Sequence, residues 1–231
     1  RKEGYYCANN FKCDYQFNAP FTAWDEVSET ASYRDAPEGQ PFFYVWNTLV
    51  THESRIWQRK DKPLTVKPED VIIPDYFADI PEVRADIARK YSNIEEMDRQ
   101  VGELVKQLEE DNLLDNTVII FWSDHGGNLL RQKRAVGNSG LNVPLIIRYP
   151  DKKRAGEVDQ RIVSLMDLGA TTLSLLNIDP PEFYDGKAFG GIYEDAPRNY
   201  AFGSADRFDE VTDMQRSVID GRYVYIKNFM P

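Results

Sequence analysis

Val118-Ile119-Ile120-Phe121-Trp122-Ser123-Asp124-His125-Gly126-Gly127 runs five apolar residues straight into a carboxylate, an imidazole and a glycine pair. The apolar run reads as a buried strand and the glycines as the turn that ends it. In open α/β sheets ligands gather beyond the carboxyl ends of strands, so Asp124 and His125 stand where a metal or an anion binds. Histidine is scarce in this chain: His52 is the only other one.

Upstream of that run, Val83, Ile87, Tyr91, Ile94, Met97, Val101, Leu104, Val105 and Leu108 recur every three or four residues with charges between them. This predicts a long amphipathic helix over 81–110 that covers a sheet. The preceding stretch, 62–81, carries four prolines and reads as an irregular surface excursion. Pro41-Phe42-Phe43-Tyr44-Val45-Trp46-Asn47 suits a central strand entered through a proline. Val143-Pro144-Leu145-Ile146-Ile147-Arg148-Tyr149 reads as a third strand, with a helix over about 165–176 after it. Such alternation predicts an α/β fold with a mostly parallel central sheet flanked by helices. At the end of the chain, Asp220-Gly221 between β-rich arms predicts a hairpin, the start of a small antiparallel piece.

Composition bounds the partners. A chain of 231 residues with 42% hydrophobic content is long enough to bury one large core. Its net charge of -10 argues against non-specific binding to nucleic acid or anionic membranes, so an anionic substrate needs a local cluster of Lys or Arg. No run of apolar residues is long enough for a transmembrane helix, so no membrane insertion is expected. Arg1-Lys2-Glu3-Gly4-Tyr5 does not read as a signal peptide. Cys7 and Cys13 are more often free thiols than a bridge in a chain of this size, and the redox compartment stays open.

Within the turn after the strand, adjacent Asp124 and His125 can converge on one ion. Asp offers a hard oxygen and imidazole favours softer metals, so the pair by itself does not name the metal, and an isolated Asp-His is a solvated turn as often as a site. His52 lies just past the Phe42 strand, in the equivalent place on a neighbouring strand. Imidazole titrates near neutrality and can serve a leaving oxygen as general acid, while an ordinary core or surface histidine is the plain alternative. Lys133 sits nine residues after Asp124 in Leu130-Arg131-Gln132-Lys133-Arg134, where three cations in four positions form either an anion patch or a solvated loop. Lys12 is unremarkable alone.

As an ordered set these stretches resemble the sulfatase family of the alkaline phosphatase superfamily over nearly the whole chain. Asn116 through Gly126 resembles the family's metal-ligand segment. Lys133 through Val143-Pro144-Leu145-Ile146 has the spacing from its active-site lysine to the Val-Pro strand. Pro41-Phe42-Phe43 through Thr51-His52 is similar to the strand that presents its histidine, and Gly4-Tyr5 through Lys12 to the segment ending in Gly-Lys-Trp-His. Asp167-Leu168 and Asp185-Gly186-Lys187 fit as well. The resemblance implies an alkaline phosphatase-like fold, with 1–195 part of a catalytic α/β domain and 196–231 the start of a C-terminal subdomain.

By the same resemblance Asp124 and His125 are ligands of a divalent metal, usually Ca²⁺, Lys12 and Lys133 hold sulfate oxygens, and His52 contacts or protonates the departing oxygen. The implied activity is hydrolysis of sulfate esters, or of an N-sulfate, on a sulfated carbohydrate. Competing readings are a phosphodiesterase or phosphonate monoester hydrolase of the same superfamily, and a non-catalytic glycan-binding homologue. Arg207 and the Trp57 loop, 57–62, are either sugar contacts or ordinary surface. Two departures stand out. Lys12-Cys13-Asp14 replaces Lys-Trp-His, and neither Cys-x-Pro-x-Arg nor Ser-x-Pro-x-Arg, the source of the family's formylglycine nucleophile, occurs in the chain. Family members carry that motif upstream of the Gly-Tyr segment, so the expectation is an internal fragment of a longer parent, inactive by itself. A secreted, periplasmic or lysosomal location is the family expectation, and the oligomeric state is left open.

Overall fold

The computed structural model describes residues 1–231 apart from Gln16, Asp209, Pro231 and the side chain of Asp151. The chain divides into two compact units, Arg1–Asp98 and Arg99–Pro231.

The first unit is built on a parallel sheet of β1 (Tyr6–Asn9), β2 (Glu26–Val27) and β3 (Phe42–Val45), in the order β2-β1-β3. β1 escaped the sequence reading because Tyr-Cys-Ala-Asn contains no β-branched residue and no alternation. It is nonetheless the sheet centre, with Cys7, Ala8 and Asn9 all buried, since its small side chains let both neighbours close in. The expected strand over Phe42 is β3, yet its ladder neighbour is β1 and not the Val118 strand. A four-residue helix, α1 (Arg55–Gln58), follows, and 59–80 is irregular apart from one 3₁₀ turn at Pro68–Asp70.

The long helix forms as predicted: α2 (Pro81–Glu110) spans 30 residues. Its first half buries Arg89, Ser92 and Asn93 beside Ile87 and Ala88, while Tyr91 of the apolar stripe is exposed. These polar residues hold the proline-rich excursion. Arg89 donates to the carbonyls of Pro63 at 3.1 Å, of Lys60 at 3.4 Å and of Lys62, and the Ser92 hydroxyl accepts the N–H groups of Thr65 and Val66 at 3.1 Å each.

In the second unit β4 (Ile119–Trp122) pairs antiparallel with β5 (Leu145–Arg148), Trp122 opposite Leu145. A parallel return needs a crossover of a dozen residues or more, usually helical. Here the connection contains only the four-residue α3 (Asn138–Leu141) and folds back on itself, so the chain comes home alongside β4. β4 is half-buried and Trp122 is 40% exposed, against the expectation of a buried strand, because among the described residues it pairs on one edge only. The fold class stands: a parallel sheet with helices, then an antiparallel sheet of β6 (Ala201–Phe208), β7 (Val211–Ile219) and β8 (Val224–Asn228). The predicted hairpin joins β7 to β8, where Gly221 takes φ +86 and Asp220 Oδ1 accepts the N–H groups of Arg222 and Tyr223 at 2.9 and 2.6 Å. Among the described residues no helix is long and apolar enough to cross a membrane.

One large apolar core was expected, but the largest fully buried side chains are Asn9, Asn93, Thr171, Asp167 and Ser174. The reason is local. At the start of α4 (Asp167–Leu175), the Asp167 carboxylate accepts the N–H of Ser164 at 2.9 Å and of Lys187 at 2.7 Å, and takes Arg198 in a forked pair, 2.8 Å from Nε and 2.5 Å from Nη2. Gly186 is required beside it, since a Cβ there would lie 2.1 Å from the Met166 carbonyl. Burial pushes the Asp167 carboxyl upward, but the Arg198 guanidinium and the two N–H donors outweigh it and hold the group below the usual carboxylate range.

A carboxyl whose folded value is depressed stabilises the fold above its unfolded value, and that contribution is lost as pH falls through the folded value. Stability should therefore decline on acidification below about pH 4. Arg198→Ala leaves Asp167 buried and unpaired and is expected to cost about 3–5 kcal/mol. Urea unfolding at neutral pH measures it; a change within error would remove the pair from the fold's supports.

Candidate functional site

Parallel pairing puts the C-terminal ends of β1 and β3 on one edge of the sheet, Asn9 opposite Val45. Lys12 follows β1 by three residues and His52 follows β3 by seven, so both candidates leave the same edge. Three asparagines lock it. Asn9 Nδ2 donates to the Lys12 carbonyl at 2.9 Å, Asn47 Nδ2 donates to Asn9 Oδ1 at 3.1 Å, and Asn10 exchanges two bonds with the Asn47 backbone, 2.9 Å to its carbonyl and 2.6 Å from its N–H. Phe11, in the position of the glycine in Gly-Lys-Trp-His, has φ +110, a conformation that costs any residue with a Cβ. The Lys12 Nζ lies 3.5 Å from Asp14, the carboxylate that replaces the second imidazole of that motif. His52 sits in a tight turn: its N–H donates to the Leu49 carbonyl at 3.0 Å, its carbonyl accepts Arg55 N–H at 2.8 Å, and Nδ1 lies 2.9 Å from Ser54 Oγ.

The second unit holds the other three candidates. At the end of β4 the Ser123 hydroxyl donates to the His125 carbonyl at 2.7 Å and closes the turn. His125 Nδ1 lies 2.7 Å from the Gly126 carbonyl, which can only accept; Nδ1 therefore carries the hydrogen and the neutral ring is bare at Nε2. Nε2 faces Asp124 Oδ1 at 3.7 Å. The two side chains thus lie side by side in the turn. Glycine is obligatory here: a Cβ on Gly126 would stand 1.9 Å from the Ser139 carbonyl, and one on Gly140 2.0 Å from that of Ala135. This close approach folds the loop back, and Lys133 N–H bonds the Gly127 carbonyl at 2.9 Å, two residues beyond His125. The C-terminal sheet braces the same loop, with the Arg134 guanidinium 4.7 Å from the Phe208 ring centre and Leu141 packed against Gly203.

Asp124 and His125 suit a divalent ion as two of its ligands. A carboxylate oxygen and a bare imidazole nitrogen 3.7 Å apart are spaced like neighbouring donors around an ion bound at about 2.3–2.6 Å. A metal-bound histidine usually gives its other ring N–H to a carbonyl, and Gly126 supplies that acceptor. Among the described residues no group of three or more His, Cys, Asp or Glu that could hold a metal ion is assembled.

The five candidates fall into two sets, Lys12 with His52 in the first unit and Asp124, His125 and Lys133 in the second. Trp57 is 59% exposed and Arg207 is exposed on β6, in different units. Sequence reasoning passed over Asn9, Asn10, Asn47 and Ser54. The signal available was Asn at the carboxyl end of each short strand, where no ladder partner remains for the next backbone groups. Asn9→Ala removes the bond to the Lys12 carbonyl and one of the two acceptors of the Asn47 amide, which keeps Asn10 Oδ1 at 3.2 Å, and is expected to cost about 1–3 kcal/mol. Thermal unfolding against wild type reads this directly, and an unchanged midpoint would contradict it.

A family described as Sulfatase matches residues 3–178. An ulvan-active sulfatase of Formosa agariphila is 41% identical across the whole chain, which spans 45% of that protein. Human N-sulphoglucosamine sulphohydrolase is 33% identical over 52% of the chain and 24% of its own length. The chain thus spans less than half the length of these curated relatives. Among solved structures, a Bacteroides fragilis protein assigned as a sulfatase superposes with a TM-score of 0.62 at 23% identity, over 82% of this chain and 45% of that one. The phosphonate monoester hydrolase of Agrobacterium radiobacter gives 0.62 at 20% identity, over 84% and 51%. At such identities the superpositions speak for the fold alone, while the match over 3–178 and the 41% relative assign the chain to the sulfatase family.

Proposed function

We propose that this chain is the metal- and sulfate-binding part of a sulfuric ester hydrolase acting on a sulfated carbohydrate. The observation that carries the reading is the turn after β4, where His125 is oriented by the Gly126 carbonyl toward the Asp124 carboxylate and is followed by a lysine loop tied to Gly127. The ulvan-active relative supports a sulfated polysaccharide as the substrate class.

An ester sulfate carries one negative charge, and breaking its S–O bond builds charge on the equatorial and departing oxygens. Ammonium groups fixed around that anion stabilise the transition state more than the ground state. Lys12 and Lys133 fill that role, and His52 serves the departing oxygen. The divalent ion held by Asp124 and His125, Ca²⁺ by family expectation, supplies Lewis acidity toward a sulfate oxygen when bound. Cations acting at short range let a chain of net charge -10 hold an anion. The nucleophile belongs to a formylglycine motif that these 231 residues do not contain. A location outside the cytoplasm goes with that reading.

The test is release of inorganic sulfate from sulfated polysaccharides by the matured parent protein. Lys133→Ala and Lys12→Ala are each expected to lower kcat about 10²–10³-fold. Chelation of divalent ions should abolish turnover, and the 231-residue chain alone should show none. A parent protein that releases phosphonate or phosphate and no sulfate would overturn the reading.

A further inference from the structure

The Nδ1 atoms of the two histidines face opposite kinds of partner, a carbonyl at His125 and a serine hydroxyl and N–H at His52. We infer that Ser54 is a positioning residue that places the hydrogen of the neutral His52 ring on Nε2, so that this imidazole meets the departing oxygen as a hydrogen-bond donor. The statement about the departing oxygen rests on the sulfatase reading; the tautomer does not.

Two donors of Ser54 converge on one ring nitrogen. Its backbone N–H lies 3.3 Å from His52 Nδ1, and a backbone N–H can only donate. Nδ1 must therefore present its lone pair. The Ser54 hydroxyl is closer still, at 2.9 Å from the same nitrogen. The hydroxyl also lies 3.4 Å from Gln58 Oε1, which accepts Arg55 Nη1 at 2.7 Å as well, so the imidazole nitrogen is the nearer of its two acceptors.

Ser54 is also the N-cap residue of α1, where serine normally turns its oxygen onto the first N–H groups of the helix. It makes no such bond. The capping interaction is forgone while the hydroxyl faces His52. Around this contact the turn is closed by Ile56 N–H to the Glu53 carbonyl at 3.2 Å and by Arg55 Nε to the Leu49 carbonyl at 3.2 Å. Buried Asn93 of α2 then ties the turn down, accepting Arg59 Nε at 3.0 Å and donating to the Arg55 carbonyl at 3.5 Å. The ring is thus held from the helix upward.

The chemical consequence follows from which nitrogen is bare. A ring with Nε2–H offers a donor to an oxygen on which negative charge is growing, whereas a bare Nε2 would repel it. Protonating Nδ1 to make the imidazolium would turn it from acceptor to donor and set it against the Ser54 N–H. Ser54 therefore selects which nitrogen of the neutral ring stays bare. His125 shows the converse arrangement, Nδ1–H to a carbonyl and Nε2 bare toward Asp124, which suits a ligand.

Because the chain has only two histidines, a long-range ¹H–¹⁵N spectrum of the labelled protein reports both rings, and His125→Gln assigns them. Above the imidazole titration range we expect His52 bare at Nδ1 and His125 bare at Nε2. Ser54→Ala keeps the backbone N–H at 3.3 Å but removes the closer hydroxyl at 2.9 Å, and should shift the His52 nitrogens part of the way toward a tautomer mixture, while Ser54→Thr should keep the wild-type pattern. In the active parent protein Ser54→Ala should lower kcat about 10- to 100-fold with KM little changed, and Ser54→Thr should restore it. A His52 ring bare at Nε2, or a Ser54→Ala spectrum unchanged in a protein whose amide spectrum shows it folded, overturns the inference. Loss of the sulfatase reading would appear separately, as wild-type protein without sulfate release but with the His52 tautomer as stated.

Discussion

Buried backbone groups must find hydrogen-bond partners, and in this chain the strands are too short to supply them. β1, β3, β4 and β5 are four residues each, so the polypeptide spends most of its length in turns and loops with no ladder to join. Side chains take over that duty. Asn9, Asn10 and Asn47 hold the exits of β1 and β3, Arg89, Ser92 and Asn93 hold the excursion before α2, and Asp167 gathers Ser164, Lys187 and Arg198. This is why the largest buried side chains are polar. Each left without its partner would cost the full desolvation of an unsatisfied group, so each is as strongly specified as an apolar core position.

The same constraint shapes the candidate site. Its chemistry-bearing residues are on loops, and every one of those loops is fixed by backbone-directed bonds from elsewhere. Lys12 depends on Asn9, His52 on Ser54 and the Asn93-anchored turn, and Lys133 on the close contact between Gly126 and Gly140. Preorganisation of this kind keeps donors aimed while charge develops, which is where electrostatic catalysis gains most. The opposed orientation of the two imidazoles is its finest-grained expression: identical side chains are given different protons by a carbonyl in one turn and by a serine in the other.

Much of the fold was legible because its signals are local. The 3.6-residue stripe set both ends of α2, the Asp-Gly pair set the β7–β8 turn, and the apolar runs marked β3, β4 and β5. β1 was not legible, since Tyr-Cys-Ala-Asn is unremarkable until it is flanked by two strands. Nor was the antiparallel sense of β4 and β5, which follows from a return loop that folds on itself.

For the site, sequence by itself determined the residue types and their order: a carboxylate and an imidazole at the end of an apolar run, a lysine loop after them, a second imidazole past an earlier strand. Composition fixed the acidity that makes any anion pocket local. Only the tertiary structure decided what each ring nitrogen faces, that Asp124 and His125 lie side by side, and that Asn9, Asn47 and Ser54 hold the loops that carry Lys12 and His52. The physical reason is that a residue's identity states what bonds it can make, while folding supplies the partner: a carbonyl one residue on for His125, a serine two residues on for His52, and side chains tens of residues away for Asn9 and Asn93.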